Sequence, residues 1–303
     1  MNRFAWASAR TISEVATAAS TTVAAAMTVS PGATGAAETS VVKAGGIDLL
    51  DLLKENLLAP GTVVSLREIP GLDAVVEDEG GGLRIGAMVR LSMLERAPEI
   101  HRSFRVIART LRTLANVRVR NVATLGGHLA HADPHADLPP VLIALGASIV
   151  AAGPSGERIV PAEQFATGIY ETALKGDELI VEVTLPPPGN WRASYAKCTT
   201  RSADDWPALG VAVAVEAAGA AVKEARVVIG AAVERPARLK SAEDLLRGKS
   251  LDDRLMRQAG EAAAEEAEVV ADVHGSIAYK KQLVKIHVAR ALQAAWQDGA
   301  ARP

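Results

Sequence analysis

Apolar positions change their rhythm at one place in this chain. Up to residue 185 short apolar runs alternate with stretches of helical spacing, and after Pro186-Pro187-Pro188-Gly189-Asn190 longer alternating runs are followed by helical stretches alone. Three consecutive prolines continue neither a ladder nor a helix, so this segment marks a domain boundary. Before it, residues 41–44, 62–66, 83–85, 148–152, 158–160 and 178–185 read as strands, and 48–57, 91–96, 101–114 and 139–145 as helices. Beyond it, 194–199, 210–216 and 225–232 read as strands and 241–246, 251–266 and 279–298 as helices. Strands followed by helices predict an α+β layer. No internal repeat is present.

Two further segments lack clean periodicity. Residues 16–27 are rich in alanine, but Thr17, Ser20, Thr21 and Thr22 interrupt them and Glu14 precedes them, which suits a short surface helix capped by Thr11 or Ser13 better than a secretory leader. Residues 28–40, with Pro31, Gly32 and Gly35, read as a loop. No apolar run approaches the ~20 residues of a membrane span.

A chain of 303 residues has room for two domains with substantial cores. Hydrophobic residues make up 49% and aromatics only 3%, and a net charge of −2 is spread in mixed signs. A nucleic-acid partner would call for a basic face or stacking aromatics, and neither is found. The single cysteine, Cys198, rules out an internal disulfide and an iron–sulfur cluster on this chain's own thiolates. Cys198 reads as a buried strand residue, and the chain as a soluble protein of the cytoplasm.

Candidate chemistry centres on two glycine pairs, Gly45-Gly46 and Gly126-Gly127, each preceded by β-type residues. Each pair is either a tight turn or a concavity whose N–H groups converge on an anion, and two such turns could hold one diphosphate. A third cluster, Gly80-Gly81-Gly82, precedes no helical stretch and reads as a hairpin turn. G-x-G-x-x-G, G-x-x-x-x-G-K-[ST] and G-x-S-x-G are all absent, which removes support for a Rossmann site, a P-loop and a nucleophile elbow. His128, His131 and His135 match no zinc spacing, so no metal site is expected. Lys197, where an apolar strand meets a polar loop, fits either a solvated turn or a cation beside a cofactor.

Six segments in order, KAGGIDLL, IGAMVRLSMLE, VRVRNVATLGGHLAHADPHADLPPVLIALGA, GIYETALKGDELIVEVTLP, YAKCTTRSADDWPALGVAVAVE and DVHGSIAYKKQLVKIHVARAL, resemble the FAD-binding medium subunit of the molybdenum hydroxylases, of the xanthine dehydrogenase and carbon monoxide dehydrogenase type. The resemblance implies an α+β fold: a vanillyl-alcohol oxidase (PCMH) type FAD-binding domain over 1–188, with subdomains of about 1–60 and 61–188, and a smaller α+β domain over 192–297. It implies that Lys43, Ala44, Gly45, Gly46, Ile47, Asp48 and Leu49 wrap one side of the FAD diphosphate. Thr124, Leu125, Gly126, Gly127 and His128 would wrap the other. Asp137 would bond a ribityl or ribose hydroxyl, Leu114 and Ile180 would pack on the flavin, and Lys197 would stand near the isoalloxazine. No catalytic residue is implied here. The molybdenum cofactor belongs on a large molybdopterin-binding partner and 2Fe–2S clusters on a small one, in a heterotrimer or a dimer of heterotrimers.

Two departures stand out. Ile47 replaces a hydroxyl residue common after the first glycine pair, which makes the first grip the weaker, and His128 replaces Asn or Ser. Two alternatives stay open on the residues alone. One is a self-contained flavin oxidoreductase using Asp204, Asp205 and Tyr195. The other is an interaction protein that has lost FAD.

Overall fold

The computed structural model describes residues 2–18 and 39–300, and most of the expected loop at 28–40 lies outside them. The chain divides into two compact units. The first takes 1–97, 116–132 and 148–184, and the second takes 98–115, 133–147 and 185–303.

Two larger sheets, with the two-stranded pair Ala166–Gly168 and Glu171–Thr172, build the first unit. Thr62–Ser65 runs between Ala5–Ser8 and Ser40–Lys43, parallel to both, with Val41 opposite Val63 and Val42 opposite Val64. Parallel neighbours need a crossover, which the helix Ile47–Lys54 supplies between the second and third of these strands in the chain. That helix drops Leu53 onto Val41, Leu58 and Val63. The helix Ile12–Ala18 is capped by Thr11, whose Oγ1 accepts from the Glu14 N–H at 3.2 Å. The second sheet has the order Val75–Glu77, Leu83–Gly86, Leu179–Leu185, Ser148–Gly153, Gly156–Pro161. Its Val150, Ala152, Leu179 and Val181 share a core with Val15, Val64 and Leu66.

In the second unit Trp191–Cys198, Leu209–Ala218, Ala221–Gly230 and Ala237–Arg238 form an antiparallel meander. Alternation splits the strands between two faces. Leu209, Val211, Val213, Val215, Val227 and Ile229 pack on the helices Lys240–Leu246, Asp253–Glu266 and Ile277–Ala300. The helix Leu138–Leu145 lies against the two middle strands, where Pro140 occupies the space that a side chain on Gly230 would need.

Several boundaries differ from expectation. The stretch 101–114 is two helices, Pro98–Ser103 and Arg105–Thr113, separated where Phe104 leaves helical dihedrals (φ −133, ψ 50) to bury its ring. Val117–Arg120 is a helical turn started by Asn116, whose side chain accepts from the N–H groups of Arg118 and Val119. The second glycine pair stands inside the helix Leu125–His131, not in a turn before it.

Candidate functional site

The first glycine pair joins the strand Ser40–Lys43 to the helix Ile47–Lys54. Gly46 takes φ 92, a left-handed conformation that glycine adopts without a Cβ penalty, and no side chain caps the helix. Leu50 donates back to the Gly46 carbonyl at 3.1 Å. Among the described residues, the N–H groups of Ile47, Asp48 and Leu49 have no protein acceptor. A row of open N–H groups at the positive end of a helix is a receptor for an anion.

Lys43 fixes this turn from behind. Its Nζ donates to the carbonyls of Gly45 at 3.2 Å and Ala44 at 3.5 Å, and its stem fills the space that a Cβ on Gly46 would need. In a trans peptide N–H and C=O point opposite ways, so drawing these carbonyls toward the lysine turns the Gly45 and Gly46 N–H groups away from it. Burial lowers the ammonium's pKa, and Arg67 adds to the effect.

The second glycine pair works differently from expectation. Leu125 donates to Val89 O at 2.9 Å, Gly126 to Ala87 O at 2.8 Å, Gly127 to Thr124 Oγ1 at 3.2 Å and His128 to Thr124 O at 2.9 Å. This segment's N–H groups are therefore spent within the protein. A Cβ on Gly126 would stand 2.6 Å from the Ala87 Cβ, while one on Gly45 would overlap the carbonyl oxygen of Val122. Gly127 lies beside Ala44 and the Gly45 N–H. Among the described residues the open donors thus stand in the first segment. The first segment holds the open donors despite Ile47, because backbone N–H groups do not depend on that side chain, and the second is the wall it is pressed against.

A cavity of about 160 Å³ opens between these segments, and Ile180 lines it too. Ile180 reaches it from a strand whose register slips between Ile180 and Glu182. The lining also includes residues that the sequence reading does not assign to this site, Met88, His131 and Glu178 among them. The ring of His131 packs on Tyr170 at 5.1 Å, and its Nε2 stands 3.9 Å from Asp48 Oδ1. Glu178 accepts from Arg158 at 2.6 Å, which brings its pKa down to about 2. Neutral open donors, a helix N-terminus and an apolar wall form a donor set that fits a diphosphate carrying an apolar group.

Leu114, Asp137 and Lys197 belong to the second unit. Leu114 is buried at the end of the helix Arg105–Thr113. Asp137, at the start of the helix Leu138–Leu145, accepts from Tyr195 OH at 2.6 Å on Oδ1 and from Lys197 Nζ at 2.9 Å on Oδ2. Lys197 also donates to Thr113 O at 2.7 Å. Residues 195 and 197 share a strand face, a period-two relation that the sequence contained. Burial raises the carboxyl's pKa against the pull of Lys197 and Tyr195, and burial with the Asp137 charge pushes the Tyr195 phenol well up. The solvated-turn reading of Lys197 is therefore wrong: its side chain is 7% exposed.

Asp204 and Asp205, the acids a self-contained enzyme would use, are tied into their own loop. Asp204 accepts from Ser202 Oγ at 2.7 Å and Asp205 from Arg201 Nε at 2.8 Å, and these bonds lower both pKa values. His135 is held by Asp133 at 3.2 Å and Asp272 at 3.1 Å. Among the described residues no group of histidine, cysteine, aspartate or glutamate side chains could hold a metal ion.

Comparison with known proteins adds independent findings. A family model described as the FAD binding domain in molybdopterin dehydrogenase matches residues 2–188, and one described as the CO dehydrogenase flavoprotein C-terminal domain matches 193–295. The nicotine 6-hydroxylase medium subunit of Paenarthrobacter nicotinovorans is 33% identical over 84% of this chain and 89% of its own length. The carbon monoxide dehydrogenase medium chain of Hydrogenophaga pseudoflava is 32% identical over 84% and 88%. Among solved structures, carbon monoxide dehydrogenase from Hydrogenophaga pseudoflava superposes with a TM-score of 0.87 at 30% identity, covering 97% of this chain and 98% of that one. Quinoline 2-oxidoreductase from Pseudomonas putida 86 gives 0.86 at 30% identity, covering 98% of both.

Proposed function

The chain belongs to the family of FAD binding domains in molybdopterin dehydrogenases, and on that premise we propose that it is the FAD-carrying medium subunit of a molybdenum hydroxylase complex. Its partners are a large molybdopterin-binding subunit and a small 2Fe–2S subunit, in a heterotrimer or a dimer of heterotrimers. FAD, when bound, supplies the step between one-electron delivery from 2Fe–2S clusters and release to an external acceptor.

This chain's residues bind and orient. The N–H groups of the Gly46 turn and of Ile47, Asp48 and Leu49 receive the diphosphate, Lys43 sets the turn's direction, and Thr124 to His128 form the backing wall. Ile180 supplies apolar contact. Leu114, Asp137 and Lys197 keep the roles that the resemblance implies, respectively flavin packing, a ribityl or ribose hydroxyl, and a cation near the isoalloxazine. Each Asp137 oxygen retains a lone pair beyond the bond it already accepts. Substrate chemistry belongs to a partner, in keeping with the engagement of Asp204 and Asp205. A cytoplasmic setting suits the lone Cys198, and no helix among the described residues is long and apolar enough to cross a membrane.

The observation that carries this reading is the uncapped helix behind Gly46, opening on the cavity, in a chain matched over 2–188 by the family model. Affinity purification of a tagged copy from its own cells tests it. The eluate should be yellow and contain a molybdenum subunit and an iron–sulfur subunit. A colourless protein that takes up no FAD ends the flavin assignment, and a substrate-oxidising protein free of partners ends the subunit assignment.

A further inference from the structure

His131 lines the same cavity as Ile47, Asp48 and Leu49, whose backbone N–H groups are open. It is the last residue of the helix Leu125–His131, so the element that carries Gly126 and Gly127 also carries this ring. Its centroid lies 5.1 Å from that of Tyr170, and its Nε2 stands 3.9 Å from Asp48 Oδ1, at the first turn of the helix Ile47–Lys54. That separation is too long for a hydrogen bond. Among the described residues neither ring nitrogen has a hydrogen-bond partner.

The backbone beside the ring is strained. Ala132, the next residue, and Tyr170 are both left-handed, with φ 51 and 58, and the Tyr170 N–H donates to Ala132 O at 3.1 Å. Such dihedrals are unfavourable for residues with a Cβ and persist where the surroundings fix them. One bond thus ties the two strained residues together and keeps the two rings in contact.

Charges around the ring are mixed. Lys43 donates to the carbonyls of Gly45 and Ala44, and Glu178 is bound by Arg158 and by the Lys175 N–H. His128 also lines the cavity, one turn earlier on the same helix. Asp48 sets a carboxylate beside the open N–H groups, where a diphosphate would add further negative charge. A protonated imidazole offsets that charge and a neutral one does not, and histidine is the side chain that makes this change near neutral pH.

We propose, on the diphosphate reading of the Gly46 turn, that His131 is a further ligand of FAD. Its ring takes a proton from the solvent as the cofactor binds and donates from Nε2 to a phosphate oxygen, so that pH governs how tightly this chain holds FAD.

Calorimetric titration of the FAD-free full chain with FAD tests the proposal. Affinity should be about tenfold higher at about pH 6 than at about pH 8, the gain of one charge-assisted hydrogen bond. Titrations at about pH 7 in two buffers of different ionisation enthalpy should show net proton uptake. His131→Gln should still bind FAD, at both pH values with the weaker affinity, and without the proton uptake. Equal wild-type affinity at the two pH values, or no uptake, overturns the proposal whether or not the variant folds. A His131→Gln protein that keeps the wild-type response also overturns it and moves the proton to another group, such as His128. Failure to bind FAD at any pH is a different result, which ends the flavin assignment itself.

Discussion

Lys43 Nζ stands 3.2 Å from the carbonyl oxygen of Gly45, so the cation next to the first glycine pair grips the turn's own backbone. A lysine beside a diphosphate site would ordinarily be read as a phosphate ligand. Here its reach is spent on aiming N–H groups, and removing it should loosen the receptor without removing a contact. Lys43→Met keeps the stem that fills the space beside Gly46 and deletes the donor. FAD affinity, read by quenching of flavin fluorescence, should fall about tenfold, the worth of a hydrogen bond from a charged group. An unchanged affinity would refute the positioning role.

Gly45, Gly46 and Gly126 differ in what they do, and substitution should separate them. Gly126→Val drives a branched side chain into Ala87, and Gly45→Ala overlaps Val122 O, so both should lower the melting temperature of the FAD-free protein, by overpacking of about 1–3 kcal/mol. Gly46→Ala meets only the flexible side chain of Lys43 but forces a Cβ into a left-handed residue, at about 1–2 kcal/mol. If Gly126→Val melts like wild type yet loses FAD, the backing-wall role of the second pair is wrong and direct contact is right.

Legibility in the sequence followed the length and regularity of the elements. The second unit's strands and its three C-terminal helices were plain, because long alternating and helical stretches leave little ambiguity. The helix Leu125–His131 was hidden by two glycines in its first turn, where low helix propensity mimics a loop, although Thr124 is a ready N-cap. The break at Phe104 has no proline or glycine to mark it. At the site, the resemblance named the segments, but only geometry showed which donors are open. The mutual bonds of Asp137, Tyr195 and Lys197 are not legible in the sequence, because residues 58 to 60 positions apart reveal no contact in a single chain.

Asp137 holds two partners at once, and its loss should cost more than either partner's. Asp137→Asn leaves the Lys197 ammonium buried without its counter-charge, a defect of about 3–5 kcal/mol. Tyr195→Phe removes one neutral donor and should cost about 1–2 kcal/mol. Urea unfolding of the two variants measures the difference. Equal losses would mean that Lys197 finds another anion or the solvent.

His135 sits between Asp133 and Asp272, and hydrogen bonding to Asp133, opposed by burial and helped by Asp272, raises its pKa above the ordinary 6.5. Asp272 also pairs with Lys280, whose fully buried Nζ stands 2.6 Å from its Oδ2, and His274 lies 5.3 Å from the His135 ring. A histidine whose folded pKa is raised stabilises the fold fully below its unfolded value and loses that contribution as pH rises through the folded value. Wild-type melting temperature should therefore decline, relative to His135→Gln, as pH rises above the ordinary 6.5 and through the raised folded value. Asp272 works in the opposite direction: although burial disfavours its charge, Lys280, the His274 N–H and His135 hold its pKa at about 2. Its contribution is present above the ordinary carboxylate value and fades as pH falls through about 2. Asp272→Asn should thus be far more damaging than His135→Gln at neutral pH, by about 3–5 kcal/mol, because it strands the Lys280 charge in the interior. Thermal scans of the three proteins over the same pH series decide it. Parallel wild-type and His135→Gln curves would remove the histidine from the linkage, and a mild Asp272→Asn phenotype would show that the fold does not depend on the Asp272–Lys280 pair.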